Sequence, residues 1–134
     1  MRTHLEFNSA LLKDPDGQGN TFNPDIHGRK LAEFLAKEFG ARGFDGTVIE
    51  EDWGWMVSLK SQPFALWLGC GSYEDDADWL VFIEPSTPVI RKWLAKIDTR
   101  PEVAAISELL EEILVTKGGA TNLKWWSDQD SGRK

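Results

Sequence analysis

Three apolar segments separated by polar turns, between Thr47 and Glu84, constrain the fold of this chain most strongly. In the first, Thr47–Leu59, apolar residues recur mainly at every second position, as in a strand with one buried face. The second, PFALWLGCG from Pro63, and the third, DWLVFIE from Asp78, are apolar at consecutive positions, as in central strands. The polar stretch SYEDDAD joins them. These segments predict an antiparallel three-strand meander, in which the first is either one long strand or a tight hairpin.

Three segments with helical spacing of apolar residues surround this meander. The first follows a loop at 13–23, with Asn23 as its cap and Pro24 in its first turn. The second comes directly after the third strand and has five apolar residues spaced as on one face of a helix. The third begins with a capping box of Thr99 and Glu102. The apolar residues of the second segment are Val89, Ile90, Trp93, Leu94 and Ile97.

The order of these segments predicts an α+β domain. A first strand is expected within Thr3–Leu12, and the stretch ATNLKWW either adds a short edge strand or packs a tryptophan beneath a helix. An antiparallel sheet built on the three-strand meander then carries about three helices on one face. We expect a single domain over residues 1–134, with a mobile tail at 127–134.

Length and composition limit what such a domain can be. A chain of 134 residues, 41% of them apolar, can form one core without a disulfide or a metal. The single cysteine, Cys70, excludes an internal disulfide framework and suits a reducing compartment. No apolar run approaches the length that spans a bilayer, and the first residues lack a secretory signal. We therefore expect a cytoplasmic protein with no membrane association.

The net charge of −7 bears on the kind of partner. At neutral pH such a chain repels phosphate backbones, so direct nucleic-acid binding is not expected. The same charge favours encounter with a basic protein. An acidic surface is also common in soluble domains that have no such partner, so the sign of the charge does not decide the matter alone.

The loop DPDGQGNTFNPD matches a calcium-binding loop at several positions. A glutamine at the fifth position, a short aspartate at the last and the lack of a preceding helix argue against calcium. We therefore interpret the loop as an Asx- and glycine-rich turn, and predict no metal and no cofactor. The residues at calcium-loop positions are Asp14, Asp16, Gln18, Gly19, Asn20 and Asp25.

A catalytic thiol at Cys70 would need an imidazole base, and the histidines of the sequence are His4 and His27. Neither is linked to Cys70 by a known motif. The apolar residues before Cys70 favour a small buried side chain instead. No catalytic residue is predicted, and a non-enzymatic protein is the simpler interpretation.

Two acidic runs are candidates for binding a basic protein. Alternation places Glu50 and Asp52 on one side of a strand, and the turn after Tyr73 has the densest group of carboxylates. If the fold brings these runs to neighbouring strand ends, carboxylates converge beside exposed aromatic area, which suits a basic protein surface. The predicted partner-binding residues are Glu50, Asp52, Tyr73, Glu74, Asp75, Asp76 and Asp78.

Two other interpretations stay open. Alternation places Trp53 and Trp55 on one face of the first segment together with Glu51, and an acid beside two tryptophans is a candidate small-ligand or enzyme site. A structural or self-associating adaptor would instead use the exposed edge near Trp125 and Trp126. The oligomeric state is not predicted.

The motif EDWGWMVSL from Glu51, the strands PFALWLGCG and DWLVFIEP and the amphipathic segments that follow resemble small, acidic, single-domain proteins of bacterial toxin systems that are immunity-type or uncharacterised. The resemblance spans Phe22–Leu114. It implies a non-enzymatic protein that binds and neutralises a cognate toxin in the producing cell, with carboxylates opposing a basic toxin surface. No functional residue is carried over from it.

Overall fold

The computed structural model describes residues 1–15, 19–73 and 77–127 of the chain. Within these residues six strands form one sheet, two more strands form a separate hairpin, and two helices are present. The elements are β1 (His4–Asn8), α1 (Arg29–Ala41), β2 (Thr47–Glu51), β3 (Gly54–Lys60), β4 (Leu66–Ser72), β5 (Trp79–Glu84), β6 (Val89–Lys92), β7 (Ala95–Asp98), α2 (Arg100–Thr116) and β8 (Thr121–Trp126).

The large sheet has the strand order β2-β3-β4-β5-β1-β8, and every neighbouring pair is antiparallel. The predicted α+β class with an antiparallel sheet is therefore confirmed. The meander has four strands rather than three, because its first segment is itself a hairpin that turns at Asp52 and Trp53. At the other side of the sheet β1 lies between β5 and β8, so ATNLKWW forms an edge strand, which was one of its two predicted roles.

The second predicted helix is wrong, because residues 89–98 form the two-stranded hairpin of β6 and β7. Ile90 and Ile97 pair directly across this hairpin and both pack against the core. Their spacing along the chain is compatible with two turns of a helix and also with a tight hairpin. Trp93 has a φ of 60° and reverses the chain at the tip. The described residues therefore contain two helices rather than about three.

Helix α1 begins at Arg29, later than the cap predicted at Asn23. The carboxylate of Asp14 accepts hydrogen bonds from the backbone N–H groups of Gly28 (2.8 Å), Arg29 (3.4 Å) and Lys30 (2.7 Å). The first N–H groups of a helix lack partners within the helix, and a carboxylate there also complements the helix dipole. Asp14 therefore determines where α1 begins, although it lies 14 to 16 residues earlier in the chain than the N–H groups that it binds.

Helix α2 begins after Thr99, as predicted, but the expected capping box does not form. The hydroxyl of Thr99 donates to the carbonyl of Thr87, at the base of the β6–β7 hairpin. Glu102 accepts a hydrogen bond from the ammonium group of Lys60 in β3. The side chains of Thr99 and Glu102 therefore connect the start of α2 to the hairpin and to the sheet. They do not bind the backbone of α2 itself, as a capping box would.

The hydrophobic core lies between one face of the sheet and the two helices. Strand residues alternate between this face and the opposite one, as in β5, where Val81 and Ile83 are fully buried and Phe82 between them is partly exposed. The face that carries Phe82 is the helix-free face. Neither helix of the described chain has the length and apolar content needed to cross a bilayer. The helices contribute Leu31, Leu35 and Phe39 from α1 and Ile106, Leu110 and Ile113 from α2 to the core.

Candidate functional site

The described residues of the two acidic runs predicted from the sequence lie at the same end of the sheet. Asp52 is in the turn between β2 and β3, and Tyr73 and Asp78 flank the connection between β4 and β5. The antiparallel pairing of the start of β3 with the end of β4 makes these two connections neighbours. We name this region the acidic end. Its described members are Glu50, Glu51, Asp52, Tyr73 and Asp78, whereas the predicted residues Glu74, Asp75 and Asp76 lie outside the described residues.

Asn20 holds the acidic end in place from the loop before α1. Its amide nitrogen donates to the backbone carbonyls of Glu51 (2.7 Å) and Gly54 (3.1 Å), one on each side of the β2–β3 turn. Its side-chain oxygen accepts hydrogen bonds from the N–H groups of Phe22 (2.8 Å) and Asn23 (3.2 Å). The residue is 2% exposed. Because both ends of its amide are engaged, Asn20 fixes the position of the turn relative to the loop.

Two of the residues at calcium-loop positions, Asp14 and Asn20, have other roles in the structure. The carboxylate of Asp14 is occupied at the start of α1, the amide of Asn20 holds the β2–β3 turn, and Asp25 is exposed. Asp16 and Gln18 lie outside the described residues. Across the ranges that are described, no three or more histidine, cysteine or acidic side chains are grouped so that they could hold a metal ion.

The carboxylates of the acidic end differ in their contacts within the chain. Glu50 accepts a hydrogen bond from the N–H group of Thr21 (3.3 Å), and Asp78 accepts one from the backbone just after β1 (3.1 Å). Asp52 is exposed in the turn, and Glu51 is partly exposed. Asp52 and Glu51 are therefore the described carboxylates best placed to meet a partner.

The predicted group of Glu51, Trp53 and Trp55 is not assembled on one face. Trp55 is 1% exposed and belongs to the core, whereas Trp53 is 39% exposed and its ring lies on the helix-free face. Alternation in one strand would have placed both tryptophans on the same side, but the chain turns at Asp52 and Trp53. Glu51 pairs with Gly54 and so lies on the side away from Trp55.

Five aromatic side chains form a continuous row on the helix-free face. The ring centroid of Trp53 lies 6.0 Å from that of Trp67 and 5.4 Å from that of Phe82. Phe82 also lies 5.6 Å from His4, whose ring stacks on Trp126 at 4.1 Å. We name these five residues the aromatic row. It begins at the β2–β3 turn of the acidic end and crosses β4, β5, β1 and β8.

The aromatic row is held in position by its surroundings. Gly69 leaves room for the ring of Phe82, since a Cβ atom at Gly69 would lie 2.1 Å from its Cζ. The indole N–H of Trp126 donates to the carboxylate of Glu6 (3.0 Å). Rings that are fixed before binding lose less conformational entropy when a partner docks on them. The row is therefore preorganised, with Trp53 exposed, Trp67, Phe82 and Trp126 partly exposed, and His4 buried.

Trp67, Phe82 and His4 were not predicted from the sequence as site residues. For Trp67 the signal was partial, because strand alternation places it on the face opposite to Leu66 and Leu68, but the consecutive apolar residues of PFALWLGCG indicated a strand covered on both faces. No comparable signal exists for His4, since its neighbours in the row come from strands far away in sequence. The row depends on strand order, which local patterns do not determine.

Cys70 is fully buried on the core face of β4. Burial raises the pKa of its thiol well above the ordinary value, which disfavours the reactive thiolate. His4 lies on the opposite face of the sheet, in the aromatic row. The two residues therefore do not form a nucleophile and base pair.

Two clefts in the described chain lie away from the aromatic row. One, of about 520 Å³, is lined mainly by polar residues that include Asp45, Lys60 and Gln62. The other, of about 280 Å³, lies beside Arg2 and Arg100. Neither is lined by a member of the predicted ligand site or of the aromatic row.

Comparisons with known proteins do not identify the function of this site. No family model matches this chain, and no curated protein or solved structure has significant similarity to it. The resemblance to immunity-type proteins therefore stays a prediction. Aromatic side chains at the centre of a surface with charged groups at its margin are the usual composition of a protein interface.

Proposed function

We propose that this chain is a non-enzymatic protein-binding domain that recognises a basic partner through the aromatic row and the acidic end. The observation that carries the proposal is the position of Trp53. It follows Asp52 directly in the β2–β3 turn, and its ring contacts Trp67 and Phe82 in the row. One continuous surface therefore combines aromatic area with carboxylates.

The apolar part of this surface has features of an interface centre. Trp53 is 39% exposed, and Ile49, which pairs with Met56 on the same face, is 43% exposed. Tryptophan is enriched among the residues that dominate binding energy at interfaces. Burial of these side chains by a partner would supply affinity, and the fixed geometry of the row would limit its entropic cost.

The distribution of charge supports a basic partner. Residues 43–90 contain nine acidic residues and a single basic one, Lys60, which is paired with Glu102. A field of one sign attracts a protein of opposite charge and increases the association rate, and salt weakens this effect. At the acidic end, part of this negative charge lies directly beside Trp53, the first residue of the aromatic row.

Following the resemblance to immunity-type proteins, we propose that the partner is a basic toxin, neutralised in the cytoplasm of the producing cell. Neutralisation by occlusion requires a complementary surface and no catalytic group. The buried, chemically protected Cys70 is compatible with this role. The composition of the surface and the resemblance together support the proposal.

The two alternatives have weaker support. A small-ligand or enzyme site of Glu51, Trp53 and Trp55 would require these side chains on one face, and Trp55 lies in the core. For self-association through β8, the indole N–H groups of Trp125 and Trp126 already donate to carboxylates within the chain, so a second copy would have to pair with the backbone of this edge strand. Measurement of the mass in solution at several concentrations distinguishes the self-associating alternative.

Replacing both Glu51 and Asp52 by lysine is expected to slow association with the basic partner about tenfold at low salt and to change dissociation little. The reason is the loss of attraction at the exposed carboxylates of the acidic end. The measurement is stopped-flow association with the partner isolated from the source cells, repeated at low and high salt.

A matched control replaces Glu108 and Glu112, which are exposed on α2, by lysine. This variant has the same net charge as the first and is expected to associate several-fold faster than it. Equal slowing in the two variants would show that net charge alone is responsible. Association rates that do not change with salt would also contradict steering by the acidic end.

A further inference from the structure

The β6–β7 hairpin ends in two large apolar side chains that are almost completely exposed. Trp93 is 94% exposed and Leu94 is 98% exposed. The φ of 60° at Trp93 lies in the left-handed region, where glycine is the usual residue of a tight hairpin. Neither the exposure of these side chains nor the backbone conformation at Trp93 stabilises the free chain. We therefore expect another surface to cover the two side chains.

Basic side chains surround this tip. Arg91 and Lys96 lie directly opposite each other in the hairpin register, where like charges repel. Neither forms an ion pair with a residue in the described part of the chain. Lys92 donates hydrogen bonds to carbonyl oxygens of the β3–β4 connection, at 3.3 Å each. An anionic surface would remove the repulsion between Arg91 and Lys96.

The charge of this segment is opposite to that of the meander. Residues 91–100 contain four basic residues and one acidic residue, Asp98, which is paired with Arg100. The hairpin follows the end of β5, whereas the acidic end lies where β5 begins. The basic tip and the acidic end are therefore separated by the length of the sheet, and the tip can approach an anionic surface with the acidic end away from it.

The hairpin is a firmly held projection. Ile90 and Ile97 pack against the core at its centre. At its base, the N–H group of Thr99 donates to the carbonyl of Pro88 (2.9 Å) and its hydroxyl donates to the carbonyl of Thr87. The tip is thus presented in one orientation, which lowers the entropic cost of its insertion into another phase.

We propose that this tip inserts into the headgroup region of a bilayer that contains anionic phospholipids and attaches the chain reversibly to its surface. Tryptophan prefers the boundary between headgroups and acyl chains, Leu94 adds apolar contact, and Arg91 and Lys96 meet the lipid charges. A two-residue tip is small for a standard protein interface, which buries about 800 Å² per partner. Shallow insertion requires no more than such a tip.

The proposal is independent of the partner-binding function, because the tip and the aromatic row use different residues at different ends of the molecule. It revises the sequence-based expectation of no membrane association. That expectation rested on the lack of a long apolar run, which concerns bilayer-spanning segments and not contact with the bilayer surface.

The test is cosedimentation of the full chain with vesicles of phosphatidylcholine alone and with vesicles of phosphatidylcholine and phosphatidylglycerol in equal parts. We expect at least about tenfold stronger binding to the anionic vesicles, and weaker binding as salt is raised. Replacing Trp93 by glycine and Leu94 by serine is expected to reduce binding about tenfold. Glycine suits the backbone at this position, so the variant should keep its fold, which far-ultraviolet circular dichroism checks.

A second variant, Arg91→Glu with Lys96→Glu, is expected to lose the preference for anionic vesicles. The matched control, Trp53→Ser, removes an exposed tryptophan from the other end and should bind vesicles as the unaltered chain does. Equal binding to both kinds of vesicle, no binding to either, or unchanged binding by the tip variant would overturn the proposal. Binding of a DNA duplex through Arg91 and Lys96 without binding of vesicles would overturn it as well.

Discussion

Replacing Trp55 by alanine is expected to lower the free energy of unfolding by about 3–5 kcal/mol, whereas the same replacement of Trp53 should lower it by less than about 1.5 kcal/mol. The two residues flank Gly54, but Trp55 is 1% exposed within the core and Trp53 is 39% exposed on the helix-free face. Loss of Trp55 leaves a cavity between packed side chains. Loss of Trp53 leaves a gap that is open to solvent. Urea-induced unfolding followed by circular dichroism measures both changes.

The comparison also tests the β2–β3 turn. In one continuous strand, Trp53 and Trp55 would lie on the same face and their replacements would have similar costs. Equal losses would therefore contradict the turn at Asp52 and Trp53. Trp93→Ala serves as a control in the unfolding measurement, because Trp93 is 94% exposed and its replacement should change stability by less than about 0.5 kcal/mol.

Replacing Asp14 by alanine is expected to lower the free energy of unfolding by about 2–3 kcal/mol. Its side chain is 2% exposed and accepts hydrogen bonds from three N–H groups at the start of α1. The substitution leaves these donors without their acceptor and removes a negative charge from the positive end of the helix. Urea-induced unfolding gives the loss, and hydrogen exchange should show faster exchange at the amides of Gly28 and Lys30.

Asp25 provides the matched control for Asp14. It is an exposed aspartate of the same loop, and Asp25→Ala is expected to change stability by less than about 0.5 kcal/mol. Asp14→Asn keeps a side-chain oxygen and should recover part of the loss. If Asp14→Ala and Asp25→Ala had the same effect, Asp14 would not be the residue that determines the start of α1.

The antiparallel sheet could be predicted because the sequence pattern that indicates its strands is local. Alternation and consecutive apolar residues between Thr47 and Glu84 depend only on which faces of a strand are buried, and the antiparallel arrangement follows from short connections. The choice between one strand and a hairpin at Asp52 and Trp53 was left open. The structure resolves it through Asn20, which binds backbone carbonyls on both sides of the turn from a different part of the chain.

The misassigned elements depend on contacts that the local pattern does not contain. The spacing of Ile90 and Ile97 suits a helix and a hairpin equally, and the bond from Thr99 to Thr87 closes the hairpin. The start of α1 was placed too early because its acceptor, Asp14, precedes the helix by a whole loop. In each case a tertiary contact decides between conformations that local propensity permits.

The candidate site was predictable only in its acidic part. From the sequence, the convergence of the two acidic runs could be stated only as a condition on the fold, and the order of the strands brings the segments of Glu50, Asp52 and Asp78 to one end of the sheet. The aromatic row needs β1 to lie between β5 and β8, which joins residues from both ends of the chain. No local pattern in the sequence specifies that arrangement.

If a basic partner binds at the aromatic row, its recovery from cells depends on Trp53 and not on Trp93. The most direct measurement is affinity capture from the source cells, quantified by mass spectrometry, with three baits: the unaltered chain, Trp53→Ala and Trp93→Ala. We expect one basic protein in stoichiometric amount on the unaltered chain and on Trp93→Ala, and at least about tenfold less of it on Trp53→Ala. Equal recovery on Trp53→Ala and Trp93→Ala, or no stoichiometric protein on any bait, would contradict the claim.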